Sequence, residues 1–370
     1  MKTIVYTSTS TSLSRSSHFS RASTIFSVRN GGFTLVELMI SLVLGLLISA
    51  AALQIFYTSS VNSRRQEASS QIQDNAIFGF SQIQQHLRRT NYGAKSIGAN
   101  DEFFMNHLTP QGGVVLTAPS GTGTPVSWLQ GNLSGLTLNN SAIPAALLSG
   151  NASGNSISNL EGITNSDQLT IQYRSDREDG FDCEGFTIPE GFYVIERYFV
   201  RMDTTVTPNT PGLACASAIY DYDETAAGSA SGIDISSYKV PGETAVTNNN
   251  LAGNGTIIIP NVDYFRAKLG ISPSRAFATD PASLEIAYIP IPTSTNLPTA
   301  LGTRRIVSLQ IGILARSDNP TVTVQANNEL TFTVLDRVNA TLNSDAINGP
   351  AYLRNVYETT VLLRNARGGL

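Results

Sequence analysis

The chain of 370 residues has only two cysteines, Cys183 and Cys215, with three histidines, four lysines and one tryptophan. Two cysteines cannot supply the four ligands of a structural zinc site. They can close one disulfide, which needs an oxidising compartment. The histidines, His18, His86 and His107, are too few and too scattered for a Ser-His-Asp set to be assembled. Charge is scarce as well: Asp, Glu, Lys and Arg make up 14% of the chain, where an average soluble domain has roughly 25%. That excludes a highly charged disordered chain. The formal net charge is −4, and no basic stripe exists to displace counterions, so no nucleic-acid partner is expected. No Walker sequence, no strand-borne GxGxxG and no HExxH occurs. Trp128, the lone tryptophan, reads as core rather than as a sugar platform. The expectation is a protein that is not an enzyme and that uses no cofactor and no metal.

Proline is also missing from the N-terminal quarter, where none precedes Pro110. What stands there instead sets the compartment. Residues 1–32 carry Lys2, Arg15, Arg21 and Arg29, no acidic residue and many Ser and Thr. Such a stretch reads as a targeting segment rather than as folded structure. Over 33–56 the single charged residue is Glu37, and the next charge is Arg64. At 1.5 Å per residue, about 20 such residues cross a bilayer core of ~30 Å. The basic flank precedes the span, which puts the N-terminus in the cytoplasm and the rest of the chain outside. A secretory signal does not explain a run of this length with no Ala-x-Ala site close behind it. Nor does it explain Glu37, a carboxylate inside the apolar stretch that calls for a partner or a function.

The residues around that carboxylate, Gly31-Gly32-Phe33-Thr34-Leu35-Val36-Glu37-Leu38, resemble the prepilin motif of type IV pilins and of the pseudopilins of type II secretion. The resemblance implies that a prepilin peptidase cuts after Gly32 and methylates the new amine on Phe33. Glu37 then becomes the fifth residue of the mature chain, where its carboxylate can neutralise the terminal ammonium of a neighbouring subunit inside an apolar bundle. A 32-residue leader is long for a pilin, and the proline that many major pilins carry in the membrane half of the helix is missing here.

Beyond the membrane run, Val61, Ala68, Ile72, Ala76, Ile83 and Leu87 recur at helical steps, with Arg64, Arg65, Glu67, Gln71, Asp74 and Gln85 on the remaining circumference. A continuous helix over about 33–90 would be ~87 Å long, apolar all round in its first half and amphipathic in its second. After Gly93 the period changes. Strands are expected at 113–118, 168–174, 193–201, 256–260, 264–271, 284–289, 305–315, 330–335 and 356–363. No comparable helix intervenes, so the fold class is α+β, with a long N-terminal helical spine packed on an enlarged, mainly antiparallel β-sheet head. The Gly-, Ser-, Thr- and Asn-rich stretches 119–166 and 204–256 read as long surface loops that harbour short strands. The organisation is a leader over 1–32, a spine over 33–92 with 33–56 in the membrane, and a periplasmic or extracellular head over 93–370. Cys183 and Cys215 bracket one of the loops, and closing it is worth ~3–4 kcal/mol in the chain-entropy model.

Blocks of the body narrow the likeness. Asp167-Gln168-Leu169-Thr170-Ile171-Gln172-Tyr173-Arg174, Asp182-Cys183-Glu184-Gly185, the stretch 304–317 and the closing 356–365 are similar to the PilW group of minor pilins. That resemblance implies a minor pilin that helps to initiate type IV pilus assembly near the tip, with other minor pilins, the major pilin and a tip adhesin as partners. It implies a single-pass inner-membrane protein before assembly and a pilus component after it. A J-type pseudopilin of type II secretion and a membrane-anchored adhesin working alone are the alternative readings. One further cluster, Asp176, Glu178, Asp179 and Asp182, places four carboxylates around the turn at Gly180 and is a candidate for calcium, although its spacing misses the EF-hand pattern.

Overall fold

The structure, a computed structural model, describes residues 32–93, 105–119, 131–151, 156–177, 180–236, 249–272, 286–302, 304–321 and 330–367. Two compact units divide the chain, Met1–Tyr57 and Thr58–Leu370. The helix α1, Leu35–Arg89, supplies 35–57 to the first and 58–89 to the second.

In the first unit α1 is exposed on every side. Leu35, Met39, Leu46, Leu53 and Phe56 all stand free of protein contacts that would bury them. Among the described residues it is the one helix long and apolar enough to cross a membrane. A helix that is apolar all round and uncovered by its own chain needs lipid or other chains as its solvent.

In the second unit the same helix turns amphipathic. Ala68, Ile72, Ala76, Gly79, Phe80, Ile83, His86 and Leu87 are buried. Steps of three and four residues put them on one face. Phe80, Ile83 and Leu87 join a core shared with Leu169, Val200, Leu213, Phe265 and Leu309, and each large apolar side chain so buried contributes about 1.5–3 kcal/mol. Gly79 lies in the middle of this face. A Cβ there would run into the side chain of Ile259, so the propensity cost of a helical glycine, about 1 kcal/mol, is what lets helix and sheet approach.

Among the described residues fourteen strands follow in chain order. They are β1 Leu136–Thr137, β2 Leu169–Arg174, β3 Gly180–Phe181, β4 Thr187–Ile188, β5 Tyr193–Asp203, β6 Thr210–Tyr220 and β7 Ile233–Asp234, and then β8 Thr256–Pro260, β9 Val262–Ser272, β10 Ala287–Pro290, β11 Arg305–Arg316, β12 Thr331–Val334, β13 Arg337–Thr341 and β14 Arg354–Leu362. Two antiparallel four-stranded sheets form the body, in the orders β2-β5-β6-β8 and β10-β9-β11-β14. The α+β class and the antiparallel body expected from the sequence are what the structure has.

Several elements depart from the expectation. β6 falls inside the stretch read as a loop, and it is an 11-residue central strand. Pro211, Gly212, Ala214, Ala216 and Ala218 give it little β-propensity. Both of its faces are covered, by the main core through Leu213, Cys215 and Ile219 and by a second core through Ala218 and Tyr220, so no polar alternation marks it. The segment 113–118 forms no strand. Val114 makes a single bridge to Ile171, while the amides of Leu116 and Thr117 turn to the Asn132 side-chain oxygen, at 2.9 and 3.2 Å. In β11 a bulge between Ile306 and Ser308 shifts the alternation, so Ile306 shares the core with Leu309, Ile311 and Ile313 rather than lying opposite them.

Candidate functional site: an N-terminal cap and a stapled joint

At the start of α1, Gly32, Phe33 and Thr34 lie outside the helix, exposed, with Phe33 88% accessible. Thr34 and Glu37 hold each other reciprocally. The Thr34 amide and hydroxyl donate to Glu37 Oε2 at 3.1 and 3.0 Å, and the Glu37 amide donates to Thr34 Oγ1 at 3.2 Å. This is a capping box, Thr-x-x-Glu, which satisfies amides that the first helical turn leaves without partners. Beside the role expected of Glu37 towards another subunit, this local role is a second one, and the Thr-x-x-Glu spacing is its signal in the sequence. The Glu37 carboxylate therefore has a resident hydrogen-bond partner within its own chain.

In the second unit, Cys183 and Cys215 are joined as a disulfide, with their Cα atoms 6.1 Å apart and a sequence separation of 32. Both are buried. The bond ties the segment between β3 and β4 to the central strand β6. Beside it lies Glu196 of β5, a fully buried carboxylate. Glu196 Oε1 accepts from the Tyr173 hydroxyl at 2.9 Å and the Cys183 amide at 3.0 Å, and Oε2 accepts from the Tyr198 hydroxyl at 2.8 Å. His86 of α1 places Nδ1 2.8 Å from Oε1. Helix, sheet and staple thus meet at one carboxylate.

Burial pushes the His86 imidazole towards its neutral form, yet the charge and hydrogen bond of Glu196 outweigh this and raise its pKa above the usual value. For Glu196 burial works upward, and the His86 charge, with hydrogen bonds from His86, Tyr198 and Tyr173, brings the carboxyl below the usual value. The scarcity of histidine in the sequence gives no sign of this pairing. The available signal was its place on the buried face, between Ile83 and Leu87.

Of the acidic cluster, Asp176 and Asp182 lie among the described residues. Asp182 is buried, and its Oδ1 accepts from the amides of Glu184 and Phe186 at 3.0 and 2.8 Å, closing the turn that carries Cys183. Its Oδ2 and Glu184 Oε2 share the Ser217 hydroxyl at 2.7 and 2.9 Å, and burial raises the Asp182 carboxyl above the usual range. Asp176 is exposed and takes a hydrogen bond from the Tyr92 hydroxyl. Glu178 and Asp179, like His18 and Trp128, lie outside the described residues. Among the described residues no three His, Cys, Asp or Glu side chains form a metal-binding group.

The staple makes a direct expectation. Non-reducing peptide maps of exported protein will recover the Cys183 and Cys215 peptides joined, with no alkylation before reduction. Removing both cysteines will cost ~2–5 kcal/mol, towards the low end in a body of this size. Free alkylation of both thiols in the exported protein would contradict the pairing.

An apolar helix leads into an antiparallel β body, an arrangement similar to that of type IV pilins, and residues 28–53 match the model of the prokaryotic N-terminal methylation motif. Residues 197–365, from β5 to the C-terminal turn, match the model of type IV pilus-assembly protein W. Among solved structures, a type IV-like pilin from Thermus thermophilus is similar over 80% of this chain and 98% of its own, at 10% identity and a TM-score of 0.32. No curated relative matches the chain.

Proposed function

We propose that this protein is a minor pilin that takes part in initiating type IV pilus assembly, working at the pilus tip with other minor pilins, the major pilin and a tip adhesin. The observation that carries the reading is the pairing on one chain of a methylation motif at the head of an uncovered apolar helix with a PilW domain. A prepilin peptidase cuts between Gly32 and Phe33. The exposed, non-helical backbone at this junction supports access, and glycine allows close approach of another backbone. The new Phe33 amine and Glu37 supply opposite charges at the end of the bundle. Before assembly the helix anchors the protein in the inner membrane with the head on the periplasmic side, where an oxidising environment keeps the disulfide closed.

A large head is awkward to repeat along a tightly packed fibre and easier to place at its end. Deleting the gene is expected to remove surface pili while leaving export of enzymes by type II secretion intact. Loss of export with normal piliation would overturn the reading in favour of a J-type pseudopilin. Retained piliation with loss of adhesion would favour a separate adhesin.

A further inference from the structure

Where α1 ends, five arginines converge on one cavity. Asn91, in the left-handed conformation at φ 66°, closes the helix. Its amide donates to Gln172 O of β2 at 3.0 Å and its side chain donates to Asn365 O at 2.7 Å. Asn365 in turn donates to Arg88 O at 3.2 Å, and the Arg174 amide donates to Tyr92 O at 2.8 Å. These bonds fasten three distant segments together, namely the helix end, the end of β2 and the C-terminal turn. Between them is a cavity of about 260 Å³ lined, among the described residues, by Arg88, Arg89, Arg174, Arg177, Arg364 and a single carboxylate, Asp176.

Two of the arginines have an ordinary explanation, since cations in the last turn complement the helix dipole. The other three come from elsewhere in the chain. Some of the charge is committed to structure: Arg89 donates to Phe181 O at 3.4 Å and lies over the Tyr173 ring, and Arg174 donates to Gly191 O at 2.6 Å. The side chains of Arg88, Arg177 and Arg364 make no hydrogen bond or ion pair among the described residues. Asp176, the one anion among the described residues that line the cavity, is occupied by Tyr92. On a chain whose net charge is −4, five cations around one small cavity is a concentrated positive site. Guanidinium groups are planar forks that match carboxylate and phosphate oxygens two at a time. The volume suits one such group and is below that of a pocket for a drug-sized ligand.

We infer that this cavity is an oxyanion-binding site for a carboxylate- or phosphate-bearing group, held chiefly by Arg88, Arg177 and Arg364. The inference is independent of the assembly role, because the site belongs to the second unit and uses none of the N-terminal motif. The test is titration calorimetry on the full chain in detergent micelles, with citrate and inorganic phosphate as separate probes. The proteins compared are the parent, an Arg177→Gln/Arg364→Gln double variant and an Arg304→Gln control, which removes an exposed arginine outside the cavity.

All the replaced side chains are exposed, so the three proteins should melt alike. Saturable binding is expected to the parent and the control, weakened about tenfold or more in the double variant and falling with added salt. Preference for citrate would identify carboxylates, such as those of an acidic segment, as the source; preference for phosphate would identify a phosphorylated one. Absence of saturable binding by both anions, or equal affinity in all three proteins, would overturn the site.

Discussion

Glu37→Ala will be synthesised, cleaved and anchored, but its incorporation into filaments will fall by about tenfold or more, because it leaves the charge of a partner amine unpaired in an apolar bundle. Anchoring should not suffer, since a carboxylate inside the apolar run opposes insertion rather than helping it. The capping box complicates any variant that removes the whole side chain, since the Thr34 amide and hydroxyl both lose their acceptor. Glu37→Gln separates the two roles. Gln keeps an oxygen for Thr34 and serves in capping boxes, but carries no charge. If the carboxylate acts through its charge, the Gln variant will assemble as poorly as the Ala variant. Normal assembly of Glu37→Gln with failure of Glu37→Ala would reduce the residue to a helix cap. Subunit counts in sheared filaments decide between them.

Breaking the His86–Glu196 pair will destabilise the head by about 3–5 kcal/mol, because removing one member strands the other in the interior. Glu196 answers to three further donors, the Tyr173 and Tyr198 hydroxyls and the Cys183 amide, so Glu196→Ala leaves several buried groups without an acceptor. The pair also sets a pH window. The raised His86 pKa makes its contribution complete below the usual 6.5, and the contribution is lost as pH rises through the folded-state value. The lowered Glu196 pKa makes its contribution complete above the usual 4.5, and this is lost as pH falls through the folded-state value. The pair therefore stabilises most fully between those two usual values. Denaturant unfolding of the full chain at a series of pH values should show stability declining on the alkaline side. In His86→Gln that decline should be flattened. An unchanged alkaline limb in the variant would show that the pair is not charged in the folded state.

How far the sequence reaches is clearest from these residues. The apolar run, the helix and the buried positions Ala68, Ile72, Ala76, Ile83 and Leu87 were legible because a period of 3.6 is a strong signal over many turns. The bounds of β8 and the start of β11 were legible from Ile- and Val-rich runs closed by Pro or Arg. β6 was hidden by its alanines and by burial on both faces, and β13 by its polar, partly exposed side chains. The Cys183–Cys215 pair followed from a count of two and the compartment, whereas the carboxylate next to it did not. A Glu within a strand reads as solvent-facing, and Glu196 is buried only because α1 lies on the side shared by Val194, Tyr198 and Val200. The arginine cavity was equally invisible, since its members are spread from Arg88 to Arg364 and only the fold brings them together.

The most direct measurement is quantitative mass spectrometry of sheared, washed filaments with peptides chosen to report the N-terminus and the amount of this subunit. The account predicts a peptide that begins at Phe33 and carries one N-methyl group, present at a small fraction of the major pilin. A peptide beginning at Met1 or beyond Ala52, or a subunit as abundant as the major pilin, would contradict it.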